Sequence, residues 1–417
     1  MSLRGVVAEL LSCANPAKPI VSLGVGDLSS HACFRKARDF SKYVAEAVSS
    51  GDFDGYPPSC GYPFARRAVA DYLSRGTAAA GGGAAATVAE HDVFLTCGGT
   101  QALQLCLATL ATRGCNVLLP RPGFPPYEAT CAMHGIEPRY YDLLPGSAWE
   151  VDLGGVRALA DDRTAALVVI NPNNPSGAVF SRRHLLQIAE AARALNLPVI
   201  ADELYGHMVF QEAEFVPMAV FSAVAPILTI GALSKRWLVP GWRLGWIAVN
   251  DPSGALRQVK MGIERLMNIS LGPTSIIQAA IPPLLSPSCE EFHRQVLGEL
   301  ESSCNVLYKM MMEVEAFKCY SKPQGAMFTM VEVNARLLPG IGDDMDFARE
   351  LMREESILVL PGSVVGLKNW IRIFFGVSTT TLEDACDRIR GFCERRRGRP
   401  DHTAILPTFS SSRESWV

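Results

Sequence analysis

The sequence predicts an α/β fold, with a large domain built on a mainly parallel sheet flanked by helices and a smaller α+β domain after it. Three observations carry that expectation. Short β-branched runs alternate with amphipathic stretches through the middle of the chain, the pattern of a parallel sheet covered on both faces. At 417 residues the chain is too long for one simple core. After about Leu285 its character changes to a long helical stretch followed by a shorter α+β pattern.

Strands are expected at Val93–Thr96, Asn116–Leu119, Ala165–Ile170, Pro198–Ala201, Ile227–Ile230 and Leu244–Val249. Helices are expected between them at Gly99–Thr112, Pro126–His134 and Ser181–Asn196. In the last, Ser181 suits an N-cap, while Leu185, Ile188, Ala191 and Leu195 form one apolar face. Asn196 before Leu197-Pro198 stops it. The expected division is residues 1–45 as an N-terminal arm joining the small domain, 46–300 as the large domain and 301–396 as the C-terminal small domain. Residues 397–417 are Ser/Pro-rich and are expected to be a disordered tail. The small-residue run Gly76–Thr87 reads as a surface loop between a helix and a strand.

Hydrophobic residues make up 48% of the chain and its net charge is −3, which describes a soluble globular protein with a sizeable core. There is no basic stripe for nucleic acid, and no apolar run of about 20 residues to span a bilayer. The N-terminus lacks a small-residue cleavage site. Twelve cysteines are scattered without a CxxC. Several sit in apolar segments such as LQLCLATL, so free thiols in a reducing, cytoplasmic compartment are expected.

In open α/β sheets ligands bind beyond the carboxyl ends of the strands. NPNNPSG follows AALVVI, DELY follows PVIA, and ALSKRWLVPGWRLGW follows ILTIG. Those ends offer Asn174, then Asp202 with Tyr205, then Lys235 with Arg243. VFLT ends in CGGTQAL, where Gly99 and Thr100 open a helix whose backbone N–H groups can cradle an anion. A phosphate site, a nucleophilic amine, a carboxylate and aromatic groups at one rim are what pyridoxal 5'-phosphate (PLP) demands.

NPNNPSG, ADELY, SKRWLVPGWRLGW and NWIRI, in this order, resemble the fold-type I PLP-dependent aminotransferases. SKRWLVPGWRLGW and LPGSVVGLKNWIRI are most similar to the plant tyrosine aminotransferase and nicotianamine aminotransferase group. The resemblance runs from about Arg4 to Arg395. It implies that Lys235 carries PLP as a Schiff base and shuttles the substrate proton. Asp202 would pair with the pyridine nitrogen, although an Asp after a strand can also cap the next turn. Tyr205 and Asn174 would hydrogen-bond the cofactor's phenolic oxygen, with Asn174 also suited to a turn, and Phe124 in RPGFPPY would stack on the ring. Gly99, Thr100 and Arg243 would hold the phosphate.

Tyr56 resembles the tyrosine that reaches the phosphate of a neighbouring subunit, implying a homodimer with shared active sites; a plain turn tyrosine is the alternative. Arg372 would take the substrate carboxylate, with a buried structural ion pair as the alternative, and Gly26 would close the other side through its backbone. No metal is implied. The sequence departs from the family pattern at Ala232, where many relatives have a phosphate-binding serine, and at Leu28, where the usual proline is missing. Ser234 sits beside the lysine and not at the serine's place.

Dicarboxylate-specific relatives present a second arginine near the segment corresponding to NISLGPTSII. None stands there, the nearest being Arg265 upstream in a helix, which favours an apolar or aromatic amino donor over a dicarboxylate. The implied reaction moves the amino group of an aromatic or other apolar L-amino acid to a 2-oxo acid in two ping-pong halves. Nicotianamine as donor, or carbon–sulfur bond cleavage on the same fold, are the alternatives.

Overall fold

The computed structural model describes residues 3–35 and 40–397. Its strands are β1 (Val21–Ser22), β2 (Val93–Thr96), β3 (Asn116–Arg121), β4 (Glu137–Leu144), β5 (Glu150–Val151), β6 (Thr164–Ile170) and β7 (Val199–Asp202). They continue with β8 (Ile227–Ala232), β9 (Gly245–Asn250), β10 (Phe317–Lys318), β11 (Phe328–Val333), β12 (Ile357–Leu358), β13 (Leu360–Pro361) and β14 (Trp370–Phe374). The central sheet has the order β2-β9-β8-β7-β6-β3-β4-β5. The β3/β4, β3/β6, β6/β7 and β7/β8 pairs are parallel, while β9 runs against both β2 and β8. The mainly parallel sheet read from the sequence is therefore present, and each expected strand falls within two residues of its observed bounds.

Alternation along the strands divides two cores. In β6, Ala166, Val168 and Ile170 pack with Leu103 and Cys106 of the helix Gly99–Leu110 and with Ile263 and Met267 of Arg257–Ser270. Leu167 and Val169 point the other way, onto Leu185 and Ile188 of the helix Arg182–Ala194. Each fully buried aliphatic side chain contributes about 1.5–3 kcal/mol. Ser181 caps that last helix, accepting from His184 N at 3.2 Å. Leu185, Ile188 and Ala191 are all buried.

A four-stranded antiparallel sheet, β10-β11-β14-β13, holds the C-terminal part against the helices Glu290–Glu313 and Thr379–Arg397. The N-terminal segment joins it where β1 pairs with β12 in parallel.

Two expectations need correction. The run Gly76–Thr87 is not a loop at its start: the helix Pro63–Ala79 continues through Gly76, Thr77, Ala78 and Ala79. Ala80 and Ala86 are then buried, and Ala84–Ala86 forms a short 3-10 turn. Alanine is the best helix former, and small side chains let this segment lie tight on the protein surface. The tail is expected from residue 397, but Arg397 still belongs to the helix Thr379–Arg397; the rest of that expectation, 398–417, lies outside the described residues. All twelve cysteines are free thiols.

Candidate active site

Parallel strands in register bring their downstream segments to one edge of the sheet. Ile170, Asp202 and Ile230 are register partners across β6, β7 and β8. The segments beyond them, which carry Asn174, Tyr205 and Lys235, rise side by side there. β14 supplies Arg372, and the chain after β1 supplies Gly24 and Gly26. Gly26, Phe124, Asn174, Asp202, Tyr205, Lys235 and Arg372 all line one cavity of about 170 Å³. Leu3, Val25, Ile170, Leu204 and Phe328 make its apolar wall.

The Lys235 Nζ donates to the Gly26 carbonyl oxygen at 2.9 Å. Burial pulls its pKa down to about 8; Asp27 opposes this, and repulsion from Arg372 and Arg243 adds to it. Such an amine is partly neutral near neutral pH and can act as a nucleophile or proton carrier. Gly26 has no room for a side chain, since a Cβ would stand 2.2 Å from the Phe328 ring.

Asp202 is 5% exposed and accepts a hydrogen bond from the Tyr127 hydroxyl at 3.0 Å. Burial pushes its carboxyl up to about 6, with the Tyr127 hydroxyl and Leu204 N holding it back. Among the described residues the one contact resembling a turn cap is with Leu204 N, at a long 3.4 Å. Tyr205 is also buried; its ring centroid is 5.8 Å from Lys235 Nζ, and burial raises its phenol pKa.

Arg372 lies inside β14 and is 4% exposed. Its Nη1 donates to Asn174 Oδ1 at 3.2 Å and its Nη2 to the Gly24 carbonyl at 2.8 Å, while Nε has no partner. Phe328 covers the guanidinium face at 4.2 Å. Burial pulls its pKa to about 10, leaving it charged at neutral pH. Its hydrogen-bond acceptors are an amide and a carbonyl, so the buried ion pair weighed as an alternative is not formed among the described residues.

Gly99, Thr100 and Arg243 do not line the cavity, though Gly99 packs against its lining residue Leu204. The helix Gly99–Leu110 begins after Gly98, whose φ is +82°, and a Cβ on Gly98 would lie 2.4 Å from Arg243 Nη2. A Cβ on Gly99 would meet Leu204 at 2.9 Å, and Gly245 packs against the same backbone. Arg243 Nη2 donates to the Cys97 carbonyl at 3.2 Å. A cationic side chain over a side-chain-free helix start is a cradle for a phosphate. Amine, buried carboxyl, aromatic face and cradle thus fit the cofactor that the resemblance implies.

Tyr56 does not line the cavity and is 88% exposed. Ala232 is a buried strand residue that leaves no hydroxyl at its place. Leu28 is buried in a short turn capped by Asp27, which accepts from Ser29 N at 2.9 Å. The sequence reading missed Tyr127, Phe328 and the Gly24 carbonyl. Tyr127 had a signal: it stands three residues after Phe124, at the start of a helix. Phe328 carries no local mark of chemistry, and Gly24, although two residues from the expected Gly26, acts through a backbone carbonyl that no side chain announces.

Comparison with known proteins identifies a family. The family model for aminotransferase class I and II matches residues 18–389. Nicotianamine aminotransferase 1 of Oryza sativa subsp. japonica is 44% identical over 401 residues, covering 95% of this chain and 80% of its own. S-alkyl-thiohydroximate lyase SUR1 of Arabidopsis thaliana is 40% identical over 399 residues, covering 95% and 85%. The crystal structure of tyrosine aminotransferase from Leishmania infantum superposes with a TM-score of 0.86 at 32% identity, covering 95% of this chain and 98% of that one.

Proposed function

This chain belongs to the class I and II aminotransferases and is a PLP-dependent enzyme, and we propose that it moves the amino group of an aromatic or other apolar L-amino acid to a 2-oxo acid. The observation that carries this reading is the meeting of a buried lysine with a lowered pKa, a buried carboxyl and a guanidinium without a carboxylate partner among the described residues around one cavity.

Bound in this cavity, PLP would supply an electron sink that acidifies the substrate Cα–H. The protein's own groups do the rest. Lys235 Nζ would hold the cofactor and carry the proton to and from Cα, with the Gly26 carbonyl positioning the amine. Asp202 would pair with the pyridine nitrogen, oriented by the Tyr127 hydroxyl. Tyr205 and Asn174 would serve the phenolic oxygen, and Phe124 would cover the ring face. Gly99, Thr100 and Arg243 would take the phosphate. Arg372 offers its planar fork to the carboxylate that every α-amino acid and 2-oxo acid carries. Gly26 lines the same cavity and would close it through its backbone.

The wall formed by Leu3, Val25, Ile170, Leu204 and Phe328 supports an apolar donor side chain. Among the described residues the cations lining the cavity are Lys235 and Arg372, enough for one carboxylate. Two other readings rest on relatives: nicotianamine as donor on the 44% identical rice enzyme, and elimination from Cβ on the 40% identical lyase.

Tyr56, Phe64, Ile269 and Leu271 are exposed apolar side chains, and Ser270 beside them contacts Gln101 in the first turn of the cradle helix. A second copy of the chain covering this face would bring its Tyr56 to the phosphate, making a homodimer with shared sites. The proposed division keeps 46–300 as the large domain, and 301–396 with the arm 1–45 as the small one. The pairing of β1 with β12 supports it. Free thiols support a reducing, cytoplasmic setting. No helix among the described residues is long and apolar enough to cross a membrane.

One screen tests the reaction class and the donor together. Tyrosine, phenylalanine, methionine, nicotianamine and a cysteine conjugate are each offered with 2-oxoglutarate or pyruvate. New amino acid and 2-oxo acid should appear in equal amounts with the aromatic donors. Thiol release without amino transfer would overturn the reading.

A further inference from the structure

Beneath the active site, on the opposite face of the sheet, lies a crevice of about 30 Å³. Period-2 alternation explains its position. Asp202 shares a face with Ile200 and Ile230, against the helix Gly99–Leu110. Thr229 and Gly231 point to the other face, beside Trp246 of β9. Glu203, one residue past β7, lines that side too, and the small residues Gly76, Thr77 and Ala86 form the far wall. Only a glycine fits at 231, because a Cβ would stand 2.4 Å from the Trp246 indole nitrogen.

Three of the side chains lining this crevice carry a buried polar group without a partner: Thr229 Oγ1, Arg236 Nε and Trp246 Nε1. Their residues are 3%, 8% and 2% exposed. Arg236 is otherwise fully engaged. Its Nη1 donates to the Tyr72 hydroxyl at 2.7 Å and its Nη2 to both Glu290 oxygens at 3.2 Å. It thereby ties the helices Pro63–Ala79 and Glu290–Glu313 to the residue next to Lys235. Glu203, which also lines the crevice, accepts from Met218 N at 2.6 Å, and burial pushes its carboxyl up to about 8. Burial likewise keeps His207 neutral, pulling its pKa to about 3. Glu290 is engaged with Arg236 Nη2, and among the described residues no anion is bonded to Arg236 Nε, Trp246 Nε1 or Thr229 Oγ1. Buried donors left unmet are costly, and a polar space this size accommodates one or two waters.

We propose that this crevice is an internal hydration site whose water accepts from Arg236 Nε and Trp246 Nε1 and pairs with Thr229 Oγ1, and that it acts through Arg236 as a positioning element for the Lys235 segment. The positioning half rests on Lys235 carrying the cofactor; the hydration half does not.

A crystal structure of the cofactor-loaded protein tests the first half. An ordered water about 2.7–3.2 Å from Arg236 Nε and Trp246 Nε1 is expected. Glu203 swung onto those donors, or a crevice without ordered solvent, overturns it. Thr229→Val tests the second half, since it keeps the shape but removes one partner of the water. Release of cofactor into a trapping agent should be several-fold faster than in the unmodified protein, with the far-UV spectrum unchanged. Thr229→Ser, which keeps the hydroxyl, should restore slow release. Equal release rates in all three proteins would remove the positioning role while leaving the water in the crystal structure and the assignment of Lys235 intact.

Discussion

The Tyr127 hydroxyl stands 3.0 Å from Asp202 Oδ2, with both residues buried. Among the described residues it is the one side chain that donates to the carboxyl on which the electron-sink chemistry depends. Burial raises the Asp202 pKa and this bond lowers it. Tyr127→Phe should therefore leave Asp202 more readily protonated and less able to hold a charge on the cofactor. Hydrogen bonds to charged groups are worth about 1.5–3 kcal/mol. A fall in kcat of roughly tenfold to a hundredfold is expected, with the melting temperature changed by a few degrees at most. Steady-state kinetics beside a thermal melt decide it, and an unchanged kcat would show that Asp202 needs no such support.

Lys235 should titrate early. With its pKa pulled to about 8, the amine of the cofactor-free protein becomes neutral as pH rises through that value. Its modification by an amine-selective reagent should climb through pH 8 and level off, while ordinary lysines keep rising to about 10.4. Peptide mapping after brief labelling over a pH series reads this directly. A midpoint near that of surface lysines would mean that the site does not activate the amine. Lys235→Ala should remove borohydride-fixable cofactor and all turnover while keeping the fold.

Arg372→Lys keeps the charge but loses the planar fork. Truncating one partner of a buried charge pair costs about 2–5 kcal/mol, so kcat/KM should drop roughly thirtyfold or more. The loss should be common to every amino donor and every 2-oxo acid, with cofactor still bound. A loss confined to one donor type would assign Arg372 to side-chain recognition instead.

Tyr56, exposed on a single chain, should become buried in the active species. Sedimentation should find a dimer, and Tyr56→Phe should speed cofactor release. A monomer with full activity would return Tyr56 to the role of a turn residue.

Much of this was legible in the sequence because the fold writes its chemistry at strand ends. Asn174, Asp202 and Lys235 each come soon after a β-branched run, and parallel register then sets them side by side. The same local logic placed Ser181 and the face Leu185–Ile188. What escaped was what only tertiary contact defines. The Gly24 carbonyl has no side chain to announce it, and Phe328 reads as an ordinary core aromatic until β11 is laid beside β14. Gly76–Thr87 misled because small residues signal loops and close packing alike, and here alanine's helical preference carried the helix on to Ala79.

The bond from Arg372 Nη2 to the Gly24 carbonyl joins residues near opposite ends of the chain. During synthesis, Asp202 and Lys235 leave the ribosome well before Arg372. At about 5–20 residues per second, the stretch between Lys235 and Arg372 takes on the order of ten seconds to make. For that interval the nascent chain owns its reactive amine but not the group that would recognise a substrate. The N-terminal segment, paired with β12 through β1 and bonded to Arg372 through Gly24, must wait for β12 and β14 before the site closes around it.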